Sequence, residues 1–126
     1  MEKEGIYTKN APEPGNYSQA VKYNGLIFVS GQTADDIETG EPIHGTVAEQ
    51  TRHILNNIKN ILEEAGSSME NVLKVGVYIS NMDDKKEMDE VYKEFFDFEI
   101  PPARIAMAVK GLDANLDVEI DVIAHE

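Results

Sequence analysis

The stretch LDVEIDVIA, residues 116–124, decides the fold class because apolar and acidic residues alternate along it. The apolar positions are Leu116, Val118, Ile120 and Val122. The acidic positions are Asp117, Glu119 and Asp121. Successive side chains of a strand point to opposite faces of its sheet. The pattern therefore predicts a strand from Leu116 to Ala124 with one oily face and one triply acidic face.

Further upstream, the run QAVKYNGLIFVSGQ (residues 19–32) predicts a β-hairpin. Asn24-Gly25 separates two strand-like segments, and this dipeptide tolerates the positive φ angles of a type I′ turn. The next segment, Asp35 to Gly45, is rich in Asp, Glu, Gly and Pro and predicts an exposed loop. Two more strands are predicted, Leu73 to Ile79 and Ala103 to Val109, the first with Leu73 on its apolar face.

Two helices are predicted between the strands. The first begins after Thr46, with Glu49 as its capping-box partner, and ends before Gly66. Its apolar face comprises Val47, Ile54, Leu55, Ile58, Ile61, Leu62 and Ala65. The second runs from Asp83 or Asp84 to Phe96, and its apolar stripe comprises Met88, Val91, Tyr92, Phe95 and Phe96. The order of elements predicts a single α+β domain, residues 1–126, in which a mixed sheet carries both helices on one face.

Composition narrows the possible functions. The 24 acidic residues outnumber the 11 basic residues and give a net charge of -13, which argues against nucleic acid and anionic membranes as partners. The absence of cysteine excludes thiolate nucleophiles and Cys-ligated metals. The three histidines show no ligand spacing, and the acidic strand offers too few oxygen ligands, so no metal site is predicted. No run reaches membrane-spanning length, and the expectation is an unprocessed cytoplasmic protein.

A candidate site follows if the last two strands form an antiparallel pair with Val109 opposite Leu116. Ala106 then lies opposite Glu119, and Arg104 lies opposite Asp121. The large apolar residues of the first of these strands, Ile105, Met107 and Val109, then share the oily face of the second. Arg104 and Glu119 would flank a small pocket above Ala106 on the face away from the helices.

Such a pocket could bind a carboxylate and position a water molecule beside it. A guanidinium can hold a carboxylate in a bidentate pair while a second carboxylate positions or deprotonates a water molecule. The alternative is a solvated sheet face with cross-strand ion pairs worth about 0.2–1 kcal/mol each. Spacing alone favours this alternative.

An ordered set of short motifs extends along nearly the whole chain. The motifs are AP (11–12), GNYSQAV (15–21), SGQ (30–32), TGE (39–41), EQTR (49–52), AGSS (65–68) and PPAR (101–104). In this order and at these spacings they resemble the Rid family of reactive intermediate deaminases, formerly called YjgF, and its RidA-like members in particular. The resemblance implies a chorismate-mutase-like fold and a homotrimer whose sheets form a central barrel, with three clefts between subunits.

The resemblance also implies an activity without a cofactor. Similar members hydrolyse enamine and imine intermediates, such as 2-aminoacrylate and 2-aminocrotonate, to 2-keto acids and ammonia. Arg104 matches the family arginine that binds the substrate carboxylate, and Glu119 matches the glutamate that positions the attacking water. The matching cleft positions are Tyr17, Ser30, Gly31 and Ala106, the last through its backbone.

Three residues depart from the family pattern. Ala106 replaces a common cysteine, Asn16 replaces a proline, and Asp89 replaces the asparagine of V-N-E-V-Y. A negative charge at residue 89 is expected to weaken binding of a carboxylate substrate or to alter selectivity. Two other functions remain open: a non-catalytic trimer that binds 2-keto acids, and an endoribonuclease or translation inhibitor, which the charge disfavours.

Overall fold

The computed structural model describes residues 2–126, which form one mixed sheet with two helices. The strands are β1 (Glu4–Ile6), β2 (Ala20–Tyr23), β3 (Leu26–Gln32), β4 (Val72–Ile79), β5 (Ala103–Ala108) and β6 (Val118–His125), and the helices are α1 (Val47–Glu64) and α2 (Lys85–Phe95). The strand order in the sheet is β1-β2-β3-β6-β4-β5. Among the paired strands described for residues 2–126, only β4 and β5 run parallel. The predicted α+β fold is therefore confirmed, and β1 is a short strand that the sequence pattern did not indicate.

The hairpin formed by β2 and β3 is confirmed. Tyr23 pairs with Leu26 across the turn. Asn24 and Gly25 adopt φ angles of 51° and 79°. Both residues thus have the positive φ that a type I′ turn needs, which explains why the chain reverses at this dipeptide.

Helix α1 has the predicted ends. The Thr46 hydroxyl accepts a hydrogen bond from the Glu49 amide at 3.0 Å, and the Glu49 carboxylate accepts one from the Thr46 amide at 3.0 Å. Gly66 follows the helix with a φ of 82°. The predicted apolar face of α1 is buried throughout.

Both helices pack on the same face of the sheet. Ile54, Leu55 and Ile58 of α1 join one core with apolar residues of β3, β4 and β6. Met88 of α2 belongs to the same core, and the α2 helix begins at Lys85, one residue later than the predicted limit. The opposite face of the sheet carries no helix among residues 2–126.

The predicted antiparallel pairing of the last two strands is wrong. Strand β4 lies between them and pairs in parallel with β5 and antiparallel with β6. Parallel neighbours need a long crossover connection, and α2 supplies it between β4 and β5. β6 then occupies the other edge of β4, where Val118, Ile120 and Val122 continue the apolar face formed by its valines.

The faces of β5 also differ from the prediction. Val75 pairs with Arg104, so Arg104 lies on the helix face of the sheet. Ile105 and Met107 point the other way and are 44% and 40% exposed. Leu73 is likewise exposed, because an irregularity between Val72 and Lys74 reverses the side-chain alternation at the start of β4. The bare face of the sheet is therefore partly apolar.

Of the helices described between residues 2 and 126, none combines the length and the hydropathy that a bilayer crossing requires.

Candidate active site

A cleft of about 380 Å³ opens at one end of strands β3 and β6. Its lining comprises Tyr17, Ser30, Gly31, Thr33, Asp35, Asp113, Ala114, Leu116 and Glu119. Four of the residues selected from the sequence thus meet in one place: Tyr17, Ser30, Gly31 and Glu119. Arg104 and Ala106 are not part of this lining.

Strand β3 bulges beside the cleft. Val29 pairs with Val122 and Gln32 with Ile120, so Ser30 and Gly31 together face the single residue Asp121. A bulge of this kind bends a strand and changes the direction of its side chains. At Gly31 an added Cβ would overlap Oε2 of Glu119 and lie 3.0 Å from its Cδ. The missing side chain of Gly31 is thus the space that the Glu119 carboxylate occupies.

Glu119 is the most chemically notable group in the cleft. Burial raises the pKa of its carboxyl group above the ordinary value, and the nearby acids Asp113 and Asp121 raise it further. No side chain among residues 2–126 forms an ion pair with Glu119. A partly buried carboxylate with a raised pKa is a better proton acceptor than an ordinary one, which suits it to activate or orient water.

Hydrogen bonds from Gln19 and Ser30 hold the upper wall of the cleft. The buried Gln19 side chain accepts from the Thr8 amide at 2.7 Å and donates to the carbonyls of Thr8 and Pro12, each at 3.0 Å. The Ser30 hydroxyl donates to the Ser18 carbonyl at 2.6 Å. These bonds fix the segment that carries Tyr17, a residue that is 55% exposed and free to contact a ligand.

The lower wall is the turn before β6. Ala114 and Asn115 adopt φ angles of 55° and 57°, a left-handed conformation that L-residues seldom occupy. Two contacts secure this turn. The His44 ring bonds to the Ala114 carbonyl at 2.7 Å, and Gln50 exchanges two hydrogen bonds of 2.9 Å with Asp117.

Arg104 lies elsewhere, on the outer strand β5 and beneath α2. Its Nη1 donates to Asp89 at 2.5 Å, and its guanidinium carbon lies 4.7 Å from the centre of the Tyr92 ring. Burial raises the pKa of Tyr92 to about 12. The arginine is therefore held in place by α2 and is still 24% exposed.

The predicted proximity of Arg104 and Glu119 within one chain is wrong. Arg104 pairs with Val75 on the helix face, whereas Glu119 pairs with Tyr78 on the bare face. β4 separates their strands, which puts β5 and β6 about 9.5 Å apart. Ala106 pairs with Val77 and packs toward the core on the same face as Arg104, so it does not lie beside Glu119 either.

Sequence reasoning missed three polar residues in the cleft: Thr33, Asp35 and Asp113. The Thr33 hydroxyl donates to Asp35 at 2.8 Å. Thr33 and Asp35 lie just after β3, and Asp113 lies in the segment before β6. A loop prediction does not say which side chains point inward. Tyr92 had a usable signal, because it lies three residues after Asp89 and thus on the same helix face.

Comparisons with known proteins identify the family. The family model described as Endoribonuclease L-PSP matches residues 8–126. A RutC family protein of Pyrococcus abyssi is 47% identical over 127 residues, and the match covers 100% of this chain and 99% of the relative.

Solved structures of similar proteins show the same fold. YyfA of Yersinia pestis, described as a protein of unknown function of the conserved Rid protein family, has a TM-score of 0.95 at 36% identity, covering 99% of this chain and 100% of YyfA. TdcF of E. coli, solved with bound serine, has a TM-score of 0.90 at 35% identity and 98% coverage of both chains. With sequence and structural relatives of this similarity over nearly its full length, the chain belongs to the Rid family.

Proposed function

We propose that this protein hydrolyses small 2-imino acids and their enamine forms, such as 2-aminoacrylate and 2-aminocrotonate, to 2-keto acids and ammonia. The observation that carries the proposal is the partly buried Glu119 carboxylate, which lies in a polar cleft with a raised pKa and no cationic partner among residues 2–126. A carboxylate of this kind can orient a water molecule and accept its proton.

Arg104 is the proposed anchor for the substrate carboxylate. It is oriented by Asp89 and Tyr92 and remains partly exposed, so its other N–H groups can take a ligand. A planar guanidinium matches a carboxylate in bidentate geometry, which fixes the direction of the reacting carbon as well as the charge. TdcF, a relative that carries bound serine, is consistent with a ligand of this size and chemistry.

The reaction needs few groups. Water adds its oxygen to the imine carbon while the C=N electrons move to nitrogen, which takes a proton. Glu119 accepts the proton that the water releases and passes it to this nitrogen, which gives a carbinolamine. The carbinolamine hydroxyl then loses its proton to the same nitrogen through Glu119, the C=O bond forms, and the C–N bond breaks as ammonia leaves. Imine and water thus give keto acid and ammonia, and the chain contributes substrate capture, a placed water and a proton acceptor.

A homotrimer would complete the site. Within one chain, Arg104 and Glu119 lie on different strands and opposite faces, so one chain alone supplies half of the proposed machinery. Two features support assembly: β5 ends the sheet, and the bare face exposes Phe28, Ile105 and Met107 at 40–44%. In the proposed trimer, Arg104 of one subunit faces the Glu119 cleft of its neighbour.

The activity is tested by generating the imine in the cuvette with a serine/threonine dehydratase and following its loss. Wild type should accelerate the loss, and both Arg104→Ala and Glu119→Gln should reduce that acceleration at least about 100-fold. Arg52→Ala is the matched control, because Arg52 forms an exposed pair with Glu94 on the helices. Equal rates for buffer and wild type would refute the proposal.

Mixing the two inactive variants tests the shared cleft. If chains from Arg104→Ala and Glu119→Gln are refolded together in equal amounts, about one quarter of the clefts in random trimers receive both intact residues. Activity should therefore return to about a quarter of the wild-type value. A mixture as inactive as its components would show that one chain supplies both groups.

A second candidate is a non-catalytic trimer that binds 2-keto acids in the same cleft, and the serine-bound TdcF favours it as a ligand-binding precedent. Turnover separates the two functions. Glu119→Gln should retain keto-acid binding whichever function is correct, but it abolishes a hydrolysis rate only if the protein is an enzyme. The endoribonuclease description belongs to the family model, and a net charge of -13 argues against RNA as a substrate here. A cytoplasmic location stays a prediction from the sequence.

A further inference from the structure

Arg104 has an anionic partner of its own. Asp89 Oδ1 accepts a hydrogen bond from Arg104 Nη1 at 2.5 Å, and Asp89 Oδ2 accepts one from Lys85 Nζ at 2.9 Å. The side chains of Arg104 and Asp89 are 24% and 33% exposed. Solvent therefore screens this pair less than it screens the fully exposed pairs of the surface. Any ligand that reaches Arg104 also meets the field of Asp89.

Asp89 stays ionised in this environment. Burial opposes its ionisation, but the hydrogen bonds from Arg104 and Lys85 outweigh burial and lower the pKa of the carboxyl group below its ordinary value. The negative charge is thus a permanent part of the anchor near neutral pH.

The guanidinium has one edge left for a ligand. Nη1 donates to Asp89, and the Tyr92 ring covers one face of the guanidinium plane. Nε and Nη2 donate to no acceptor among residues 2–126. These two groups form the parallel donors that a bidentate carboxylate needs. A carboxylate bound there would have Asp89 on the other side of the same guanidinium, at a distance where two negative charges still repel.

Substrate and product differ in the charge that Asp89 would sense. A protonated imine carries a positive nitrogen next to its carboxylate, so the molecule is a zwitterion. The 2-keto acid has lost that nitrogen and is a simple anion. Repulsion by Asp89 acts on both carboxylates, but in the substrate the adjacent positive nitrogen offsets it.

We propose that Asp89 is a specificity-determining residue that lets Arg104 hold the zwitterionic imine while weakening its hold on the anionic 2-keto acid. This inference rests on the proposed function, because it takes Arg104 as the carboxylate anchor. Its consequence is easy release of product.

The test measures binding by calorimetry with two unreactive probes, 2-ketobutyrate as the anion and L-serine as the zwitterion. Asp89→Asn keeps the shape and an acceptor oxygen for Arg104 but removes the charge. It should tighten 2-ketobutyrate binding about tenfold, equivalent to about 1.4 kcal/mol, and change serine binding less than about threefold. Keto-acid inhibition of imine loss should strengthen by the same factor.

Glu90→Gln is the matched control. Glu90 is the next residue on α2 and pairs with Lys93, not with Arg104, so this change removes one negative charge from the same helix without touching the anchor. The ratio of the two dissociation constants should stay at the wild-type value. A shift as large as that of Asp89→Asn would overturn the proposal, because general charge on α2 would then be the cause.

Other outcomes separate this inference from the proposed function. If Asp89→Asn changes both probes equally, Asp89 only orients Arg104, and the inference fails while the proposed function stands. If Arg104→Ala binds both probes as wild type does, or if wild type binds neither, the anchor itself is wrong and both fail. If Asp89→Asn changes the ratio of the two dissociation constants but the wild-type protein shows no turnover, the inference about Asp89 stands and the proposed hydrolysis is refuted.

Discussion

Gly31→Ala should separate activity from stability in this protein. Gly31 needs no positive φ, so alanine fits its backbone, and replacing a strand glycine by alanine contributes about 0.5–1 kcal/mol of stability. The new methyl group would overlap Oε2 of Glu119 and force that side chain out of its position. Turning a flexible side chain away from its preferred rotamer costs about 0.5–1.5 kcal/mol. The two contributions nearly cancel, and the free energy of unfolding should stay within about 1 kcal/mol of wild type.

Activity should respond very differently. A displacement of about 1 Å at a reacting group costs about 100-fold in rate, so imine hydrolysis should fall by about that factor. The assays are urea unfolding and imine loss, with carboxyl titration by NMR as a readout that needs no turnover: a Glu119 forced toward solvent should lose part of its raised pKa. Gly5→Ala is the control, because its added Cβ would lie 3.7 Å from the Ser18 hydroxyl oxygen, an ordinary contact. A Gly31→Ala protein with an unchanged Glu119 pKa, or with at least about half of the wild-type rate, would refute the steric argument.

Three further changes test other parts of the structure. Because the folded chain raises the pKa of Glu119, it holds that proton more tightly than the unfolded chain does, and the resulting stability is lost as the pH rises through the folded-state pKa. Glu119→Gln should therefore raise Tm at neutral pH and lose this advantage below pH 4.5, the ordinary pKa of the group. The wild-type rate should fall as the pH is lowered and Glu119 is protonated. An equal gain in Tm at both pH values would contradict the raised pKa. Asn57 is buried, and its side-chain amide has no hydrogen-bond partner among residues 2–126. Asn57→Leu, which has a similar shape, should therefore raise the free energy of unfolding in urea by about 1–2 kcal/mol. A loss of stability would mean that the amide does form hydrogen bonds. Thr46→Ala removes the α1 cap and should lower the free energy of unfolding by about 1 kcal/mol in the same assay, whereas Thr46→Ser should retain most of it.

Local signals predicted the elements well because each has a local cause. Asn24-Gly25 reverses the chain through its own backbone preference, and Thr46 with Glu49 begins α1 through bonds that span three residues. The pairing of β5, in contrast, has no local cause. The sequence shows that Ala103–Ala108 forms a strand, but the choice between β4 and β6 as its neighbour depends on how α2 crosses the sheet.

The same difference between local and long-range causes explains which parts of the candidate site could be predicted. Motif resemblance selected Tyr17, Ser30, Gly31 and Glu119, which do share one cleft. The resemblance also selected Arg104, but its position beside Glu119 within one chain came from an assumed register, and the actual register puts it on the other face. The bulge at Ser30 and Gly31 carries no pattern that alternation could reveal, because it consists of one extra residue in a strand that otherwise alternates normally.

The position of β6 has a consequence for how the chain acquires its structure during synthesis. Although β6 comes after every other strand in the sequence, it lies inside the sheet, between β3 and β4. A nascent chain that has emerged only as far as residue 117 can form the β1-β2-β3 meander and the β4-α2-β5 unit, but it has no strand to join them. Residues 118–125 must therefore leave the ribosome before the sheet can form as one unit, and until then the inner edges of β3 and β4 are unpaired and open to wrong partners.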